Sequence, residues 1–341
     1  MNISIITPGG CSAKCDFCFW EIKKTPKNYI SKLYNFLSTI ESGRFSLSIT
    51  GAEPTESVYL YHILKMISSM KNKFTKVVMT TNGSRLMDFI NIEENLNVLQ
   101  KAVDHINISR HHYNENVNER IFNSKNIPTN DEVMQIITFL NMVGIDVTFN
   151  CVLTDMMNDK ENVINYIVHA KNMHASAVTF RDAHDGDSIT INPVEKIFSS
   201  YKTIQESSCG ACRIATKIIA GIKCNFHYSV KEPTKVMDGI YEFIIQQNGD
   251  VTLDWDGNLI YTGDDHKEKV FDHKYADKLK KLFLGKGTSY NYNTYSEPEP
   301  CSWGCESPSS RKMHKYSCGR SGCETTRVRR YTQSCGGSGC G

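Results

Sequence analysis

Thirteen cysteines stand in 341 residues, and all but one fall into three groups. The groups are Cys11, Cys15 and Cys18; Cys209, Cys212 and Cys224; and Cys301, Cys305, Cys318, Cys323, Cys335 and Cys340. Cys151 stands alone in a β-rich run, where burial as a small hydrophobe is expected. The N-terminus, MNISIITPGG, has neither a basic start nor a long apolar run, so it does not read as a secretory signal. A disulfide framework is therefore not the default, and metal binding or thiol chemistry is. The first group has C-x3-C-x2-C spacing. Three thiolates so close in sequence can hold three irons of a [4Fe–4S] cube and leave the fourth open to a ligand that must react. Zinc is the alternative, and a structural zinc site would take a fourth ligand from elsewhere.

The second group reads C-x2-C-x11-C, which leaves metal binding or unpaired thiols open. In the third, Cys301, Cys305, Cys318 and Cys323 can form a four-thiolate zinc site or complete a second cluster. Cys-Gly-Arg-Ser-Gly-Cys at 318–323 and Cys-Gly-Gly-Ser-Gly-Cys at 335–340 are near repeats, whose small spacers would also let paired thiols meet as a redox tail. Residues 301–341 carry seven Lys or Arg against two Glu, which would suit RNA or an acidic peptide. A tail whose thiols do nothing is the remaining reading. With so few apolar residues, order there would require metal or disulfides.

Positioning these groups requires a scaffold, and residues 1–190 supply an alternating one. Val-, Ile-, Thr- and Phe-rich runs at 3–7, 45–50, 76–81, 105–110, 146–153 and 177–181 read as strands. Between them, 29–39, 57–70, 130–142 and 160–173 read as helices; Leu60, Ile63, Leu64, Ile67 and Met70 make one apolar face. Strand–helix alternation predicts parallel βαβ units in an α/β fold. Six units are too few for a closed eight-stranded barrel, so a partial (β/α)6 TIM-like barrel or a doubly wound sheet is expected. The expected organisation is a barrel over 1–207 and a small β-rich, cysteine-rich extension over 208–265. Strands are expected there at 214–222 and 241–253, the latter with an Asn248-Gly249 turn. A helix (276–283) and linker over 266–300 and the basic tail over 301–341 follow. Net charge is +2, so whole-chain attraction to nucleic acid or membrane is not expected, and no run is long and apolar enough to span a bilayer. A cytoplasmic location is expected.

Cys11-Ser-Ala-Lys-Cys15-Asp-Phe17-Cys18, in the loop after the first strand, resembles the signature of the radical S-adenosylmethionine (radical SAM) superfamily, including the aromatic residue before its third cysteine. Thr50-Gly51-Ala52-Glu53-Pro54 is similar to the family's Gly-Gly-Glu-Pro run, with Ala in place of the second Gly. The resemblance covers roughly the first 190 residues. It implies that Cys11, Cys15 and Cys18 hold a [4Fe–4S] cluster that binds S-adenosylmethionine (SAM). It implies SAM contacts from Phe17, Gly51, Ala52, Glu53, Asn82, Ser109, Asn150 and Arg181. At the exposed end of the second strand, backbone carbonyls and the Glu53 carboxylate would meet the methionine ammonium, and Arg181 would pair with the SAM carboxylate. His111, His112 and His184 near the same rim can relay protons or be ordinary satisfied histidines. Cys209, Cys212 and Cys224, with Arg213, are similar to the auxiliary-cluster region of members with twitch or SPASM extensions.

The implied reaction starts from a one-electron reductant such as a flavodoxin or ferredoxin. Its electron cleaves the sulfonium C–S bond, giving methionine and a 5′-deoxyadenosyl radical that abstracts hydrogen from the substrate. A peptide or protein side chain is the leading substrate, and a small molecule such as a nucleotide or cofactor precursor is the alternative. With the first strand at the N-terminus, no leader-binding domain is expected ahead of the barrel. The reading from another class is a non-catalytic zinc or thiol protein, which predicts zinc and no SAM cleavage.

Overall fold

In the computed structural model, the described residues are 1–18, 21–157, 159–182, 191–208, 212–229, 242–253 and 259–261, all within one unit, Met1–Glu299. The expected helix at 276–283, the tail, His184, Cys209, Cys301, Cys305, Cys318 and Cys323 lie outside them.

Twelve strands among the described residues form one sheet. They are β1 (Asn2–Ile6), β2 (Phe45–Thr50), β3 (Phe74–Thr81), β4 (His105–Ser109), β5 (Asp146–Val152), β6 (Ala177–Arg181), β7 (Thr203–Ser208), β8 (Cys212–Ile219), β9 (Ile222–Ser229), β10 (Glu242–Ile245), β11 (Val251–Thr252) and β12 (Leu259–Tyr261). Their spatial order is β12-β11-β10-β1-β2-β3-β4-β5-β6-β9-β8-β7. β1 to β6 lie side by side in parallel, as the six predicted βα units require. β10 adds in parallel beside β1, and β9 in parallel beside β6. Antiparallel strands finish both edges. The segment 208–265, read as an extension, thus contributes its described strands to both ends of the same sheet.

The crossovers are α1 (Tyr29–Thr39), α2 (Leu60–Ser69), α3 (Leu86–Ile90), α4 (Glu93–Ala102), α5 (Glu115–Phe122), α6 (Asn130–Met142), α7 (Lys160–Asn172) and α8 (Ile191–Ile197). Their starts are encoded locally. Thr129 and Glu132 form a capping box on α6, and Asp159 and Asn114 cap α7 and α5. Along the parallel strands alternate side chains bury against the helices: Ile3 and Ile5, Leu47 and Ile49, Val77 and Met79, Ile106 and Ile108, Val147 and Phe149.

The opposite face of the sheet is polar. Ser46 and Ser48 donate to Asn2 Oδ1, Asn107 to Thr80, and Asn225 to Thr179, while His105 and Thr148 share a bond. The largely parallel sheet with helical crossovers is consistent with a partial TIM-like barrel.

One strand and one helix expectation are corrected. Residues 214–222 are not one strand but the end of β8 and the start of β9, folded at Ala220 and Gly221. Both residues take left-handed φ (50° and 80°), which closes the turn. The helix expected from Ser57 begins at Leu60, after a short 3-10 turn at Pro54–Glu56.

Candidate active site

The carboxyl ends of the parallel strands share one rim, where ligands of such folds gather. The loop after β1 carries the three cysteines there. Its main chain is tied down along its length. Thr7 N donates to Thr50 O (2.8 Å), Glu53 N to Gly10 O (3.1 Å), Lys14 N to Phe122 O (2.9 Å) and Cys18 N to Cys15 O (3.0 Å). Cys11 and Cys15 are half-buried, and Cys18 is exposed. Burial first, then neighbouring charges that include the other thiols, push Cys11 up to about 11 and Cys15 up to about 12. Metal-free, these thiols hold their protons, and a metal must displace them. Three free thiols on one anchored loop are the residues that would hold three irons of a cube, although among the described residues no three Cys, His, Asp or Glu side chains already converge on one metal position.

Asn82 follows β3 and donates from Nδ2 to Cys11 Sγ at 3.5 Å. Its Oδ1 accepts from Ser84 N at 2.8 Å, which fixes the orientation of the amide. Its main-chain N–H is held by Glu53 Oε2 at 2.7 Å.

Glu53 corrects one expectation. Its carboxylate is not exposed to an ammonium; it is 1% exposed and turned into the fold. Oε1 accepts from Thr55 N (2.9 Å), Thr55 Oγ1 (2.7 Å) and Thr81 Oγ1. Burial raises its pKa from the ordinary carboxylate range, and the four donors oppose that rise. Glu53 thus organises the β2 and β3 ends. Gly51 and Ala52 both take left-handed φ (73° and 46°). A Cβ on Gly51 would lie 2.6 Å from Ile6 Cγ2, so only glycine fits there.

A second group lies on β4, β5 and β6. Ser109 pairs in register with Asn150, and Asn150 Oδ1 accepts from Arg181 Nε at 3.0 Å. Burial lowers the pKa of Arg181. The structure thus brings Ser109, Asn150 and Arg181 together.

Phe17 packs edge-on against His111, with ring centres 5.0 Å apart. His111 is buried, and its Nδ1 accepts from Val152 N at 3.1 Å. Burial, with Arg110 nearby, lowers its pKa to about 3, so it is neutral at pH 7. His112 Nδ1 likewise accepts from Asn114 N. Both Nδ1 atoms are therefore committed to main-chain bonds.

Cys224 does not join Cys212. Cys212 pairs with Ser229, and Cys224 lies five residues along β9, about 17 Å away at strand rise. Cys224 is fully buried in the core, and burial pushes its thiol up to about 12.

Residues not singled out in the sequence also shape the loop. Glu56 accepts from Ser12 N (2.9 Å), Ser12 Oγ (2.6 Å) and Ser84 Oγ (2.7 Å). Gln247 donates to Thr7 O and Gly9 O. Glu56 stands one turn beyond Glu53, a spacing that could have flagged it; nothing local marks Gln247.

A family model described as the Radical SAM superfamily matches residues 5–167. Among solved structures, Streptococcus suis SuiB bound to S-adenosylmethionine is 15% identical with a TM-score of 0.51, over 81% of this chain and 62% of that one. SuiB bound to precursor peptide SuiA gives 14% and 0.53, over 81% and 63%. Native anSMEcpe with bound AdoMet gives 14% and 0.56, over 82% of each chain. The chain thus spans less than two thirds of SuiB, and at these identities the likeness is one of fold. No curated protein sequence matches. Among the described residues, no helix is long and apolar enough to cross a membrane. Residues 5–167, from inside β1 into α7 on the sheet that carries the three-cysteine loop, thus match a Radical SAM domain, a superfamily whose members are enzymes.

Proposed function

We propose that Cys11, Cys15 and Cys18 hold a [4Fe–4S] cluster at which SAM is bound, and that the enzyme acts on a peptide or protein side chain. The observation that carries this is the anchored three-cysteine loop, set at the rim of a sheet with a polar face. When bound, the cluster and SAM supply one-electron cleavage of the sulfonium C–S bond and, from it, a carbon radical able to take hydrogen from substrate.

The chain's own residues have separable tasks in this reading. Asn82 donates to Cys11 Sγ, and Glu53 holds Asn82. The left-handed turn at Gly51 and Ala52 leaves main-chain polar groups at the end of β2 for the SAM amino group. Ser109, Asn150 and Arg181 present a hydroxyl, an amide and a guanidinium for its ribose and carboxylate. Phe17, backed by His111, shields the loop from water. Exposed Lys14, Lys23, Lys24 and Lys27 beside exposed Cys18 suit an acidic one-electron carrier of the flavodoxin or ferredoxin kind. A second cluster or zinc would draw on Cys209 and Cys212, or separately on the cysteines past 300, and not on core-bound Cys224.

The peptide assignment draws support from SuiB, solved with precursor peptide SuiA, and from anSMEcpe, solved with AdoMet and a Cp18Cys peptide. The deciding measurement is iron, sulfide and zinc per chain after anaerobic preparation. About four irons are expected for one cluster and about eight if the late cysteines hold another. Cys18→Ala should abolish SAM cleavage. Zinc without iron, or cleavage that survives Cys18→Ala, overturns the reading.

A further inference from the structure

The cysteine loop leaves β1 and has to be closed at both ends for its three thiols to keep a fixed spacing. One end is made by the residues after β1, and the other by the chain that returns towards α1. A single side chain bridges the two. Gln247 is fully buried just past the end of β10. Its Nε2 donates to Thr7 O at 2.8 Å and to Gly9 O at 2.9 Å, on the incoming limb. Its Oε1 accepts from Lys23 N at 2.7 Å, on the outgoing limb. The amide orientation follows from the partners. Two carbonyls can only accept and one N–H can only donate, so only this orientation satisfies all three.

The topology explains why position 247 does this. β10 runs parallel to β1 with Ile245 opposite Ile5, so the second residue past each lies side by side: Gln247 beside Thr7. Two further contacts hold the segment in place. Gln246 Oε1 accepts from Lys23 Nζ at 3.3 Å, and Gln246 N donates to Asp250 O at 2.8 Å across the turn to β11. At that turn Gly249 lies against Lys32 of α1, whose Cδ would be 2.7 Å from an added Cβ. Gln247 is therefore delivered by a rigid hairpin. It also lies well outside the residues that the family model matches, 5–167.

We propose that Gln247 is a positioning residue for the cluster, clamping both limbs of the cysteine loop so that Cys11, Cys15 and Cys18 keep the spacing that three irons require. This rests on the reading that these cysteines hold a [4Fe–4S] cluster. The clamp acts on ligand geometry, not on chemistry at substrate. Its loss would therefore show first in the cluster's lifetime and electronic signature.

The experiment compares full-length wild type, Gln247→Met and Gln247→Glu after anaerobic reconstitution. Met keeps the approximate shape and removes all three bonds. Glu can still accept from Lys23 N but cannot donate to the two carbonyls, so the limbs part. Iron release to a chelator is timed, the reduced cluster is recorded by electron paramagnetic resonance, and folding is followed by circular dichroism. Both variants are expected to take up iron, release it at least about tenfold faster than wild type, and show a shifted or broadened resonance. Wild-type lifetime and spectrum in both variants would overturn the proposal. A wild type that binds no iron would instead overturn the reading beneath it. If the variants do not fold, hydrogen exchange on unaltered holoenzyme decides. Lys23 N–H, in an exposed irregular segment, should exchange at least about tenfold slower than an unstructured amide, and an unprotected Lys23 N–H overturns the clamp.

Discussion

Glu53→Gln tests whether the buried carboxylate organises the rim. The change replaces one oxygen by NH2 at nearly constant shape. Two of the four donors to Glu53 are main-chain N–H groups, and they meet different oxygens: Thr55 N on Oε1 at 2.9 Å and Asn82 N on Oε2 at 2.7 Å. Neither can turn away or accept. Either orientation of the amide therefore sets NH2 against an N–H. The better one keeps the three bonds at Oε1 and loses the one to Asn82. Losing a charge-assisted bond costs about 1.5–3 kcal/mol, and the stranded donor adds about 1–3 kcal/mol. Relief of the charge's desolvation, visible in the raised pKa, returns part of this. A net loss of about 2–4 kcal/mol is expected, a fall in Tm of roughly 5–10 °C. Glu56→Gln is the internal control. Its partners are Ser12 N and two hydroxyls, from Ser12 and Ser84. Hydroxyl oxygens accept as well as donate, so a flipped amide satisfies all three, and the cost should stay below about 1 kcal/mol. Thermal melting of the three proteins decides. Glu53→Gln within about 1 °C of wild type, or Glu56→Gln equally damaging, would refute the reasoning.

Two further outcomes follow from local geometry. Ala52 is left-handed, which costs an L-residue about 1–2 kcal/mol; glycine removes that but loses about 0.5–1 kcal/mol in the unfolded chain, so Ala52→Gly should raise Tm slightly, whereas Gly51→Ala should lower it as its Cβ meets Ile6. His111 has a folded pKa of about 3 against an unfolded value of about 6.5, so its neutral form favours folding above pH 6.5 and that contribution is lost as pH falls towards 3. At pH 5 the loss is about 2 kcal/mol. Denaturant midpoints at pH 7 and pH 5 should therefore separate less in His111→Gln than in wild type, and an equal separation would count against the burial argument.

The cysteine spacing and the strand–helix alternation were legible because both are local. Strand Phe45–Thr50 and helix Asn130–Met142 lie where their patterns place them, since apolar alternation and a capping box act over a few residues. What misled was also a matter of scale. Glu53 stands in a Gly- and Pro-flanked run that reads as a surface turn, and its donors Thr81 and Asn82 come from the next strand. Cys224 counted as a ligand through its spacing to Cys212. The alternation Ile222, Cys224, Phe226 is the stronger signal, because it sets all three on one buried face of β9.

The non-local part of the site has a simple origin. In a parallel sheet, neighbouring strands end on the same rim whatever their separation in sequence, so a strand added late in the chain can serve a loop made early. β10 pairs with β1 across about 240 residues and brings Gln247 to Thr7, Gly9 and Lys23. On the other flank, Phe122 of α5 holds Lys14, and the ring of Phe122 packs on His111, which backs Phe17. The loop thus draws support from β2, β3, α5 and β10 at once. A cluster ligand set of only three residues has no fourth protein ligand to define its shape, so its geometry must come from the main chain that carries it. For that reason losing the hydrogen bonds made by Glu53, Glu56 or Gln247, none of them a cysteine, should act directly on the cysteine loop.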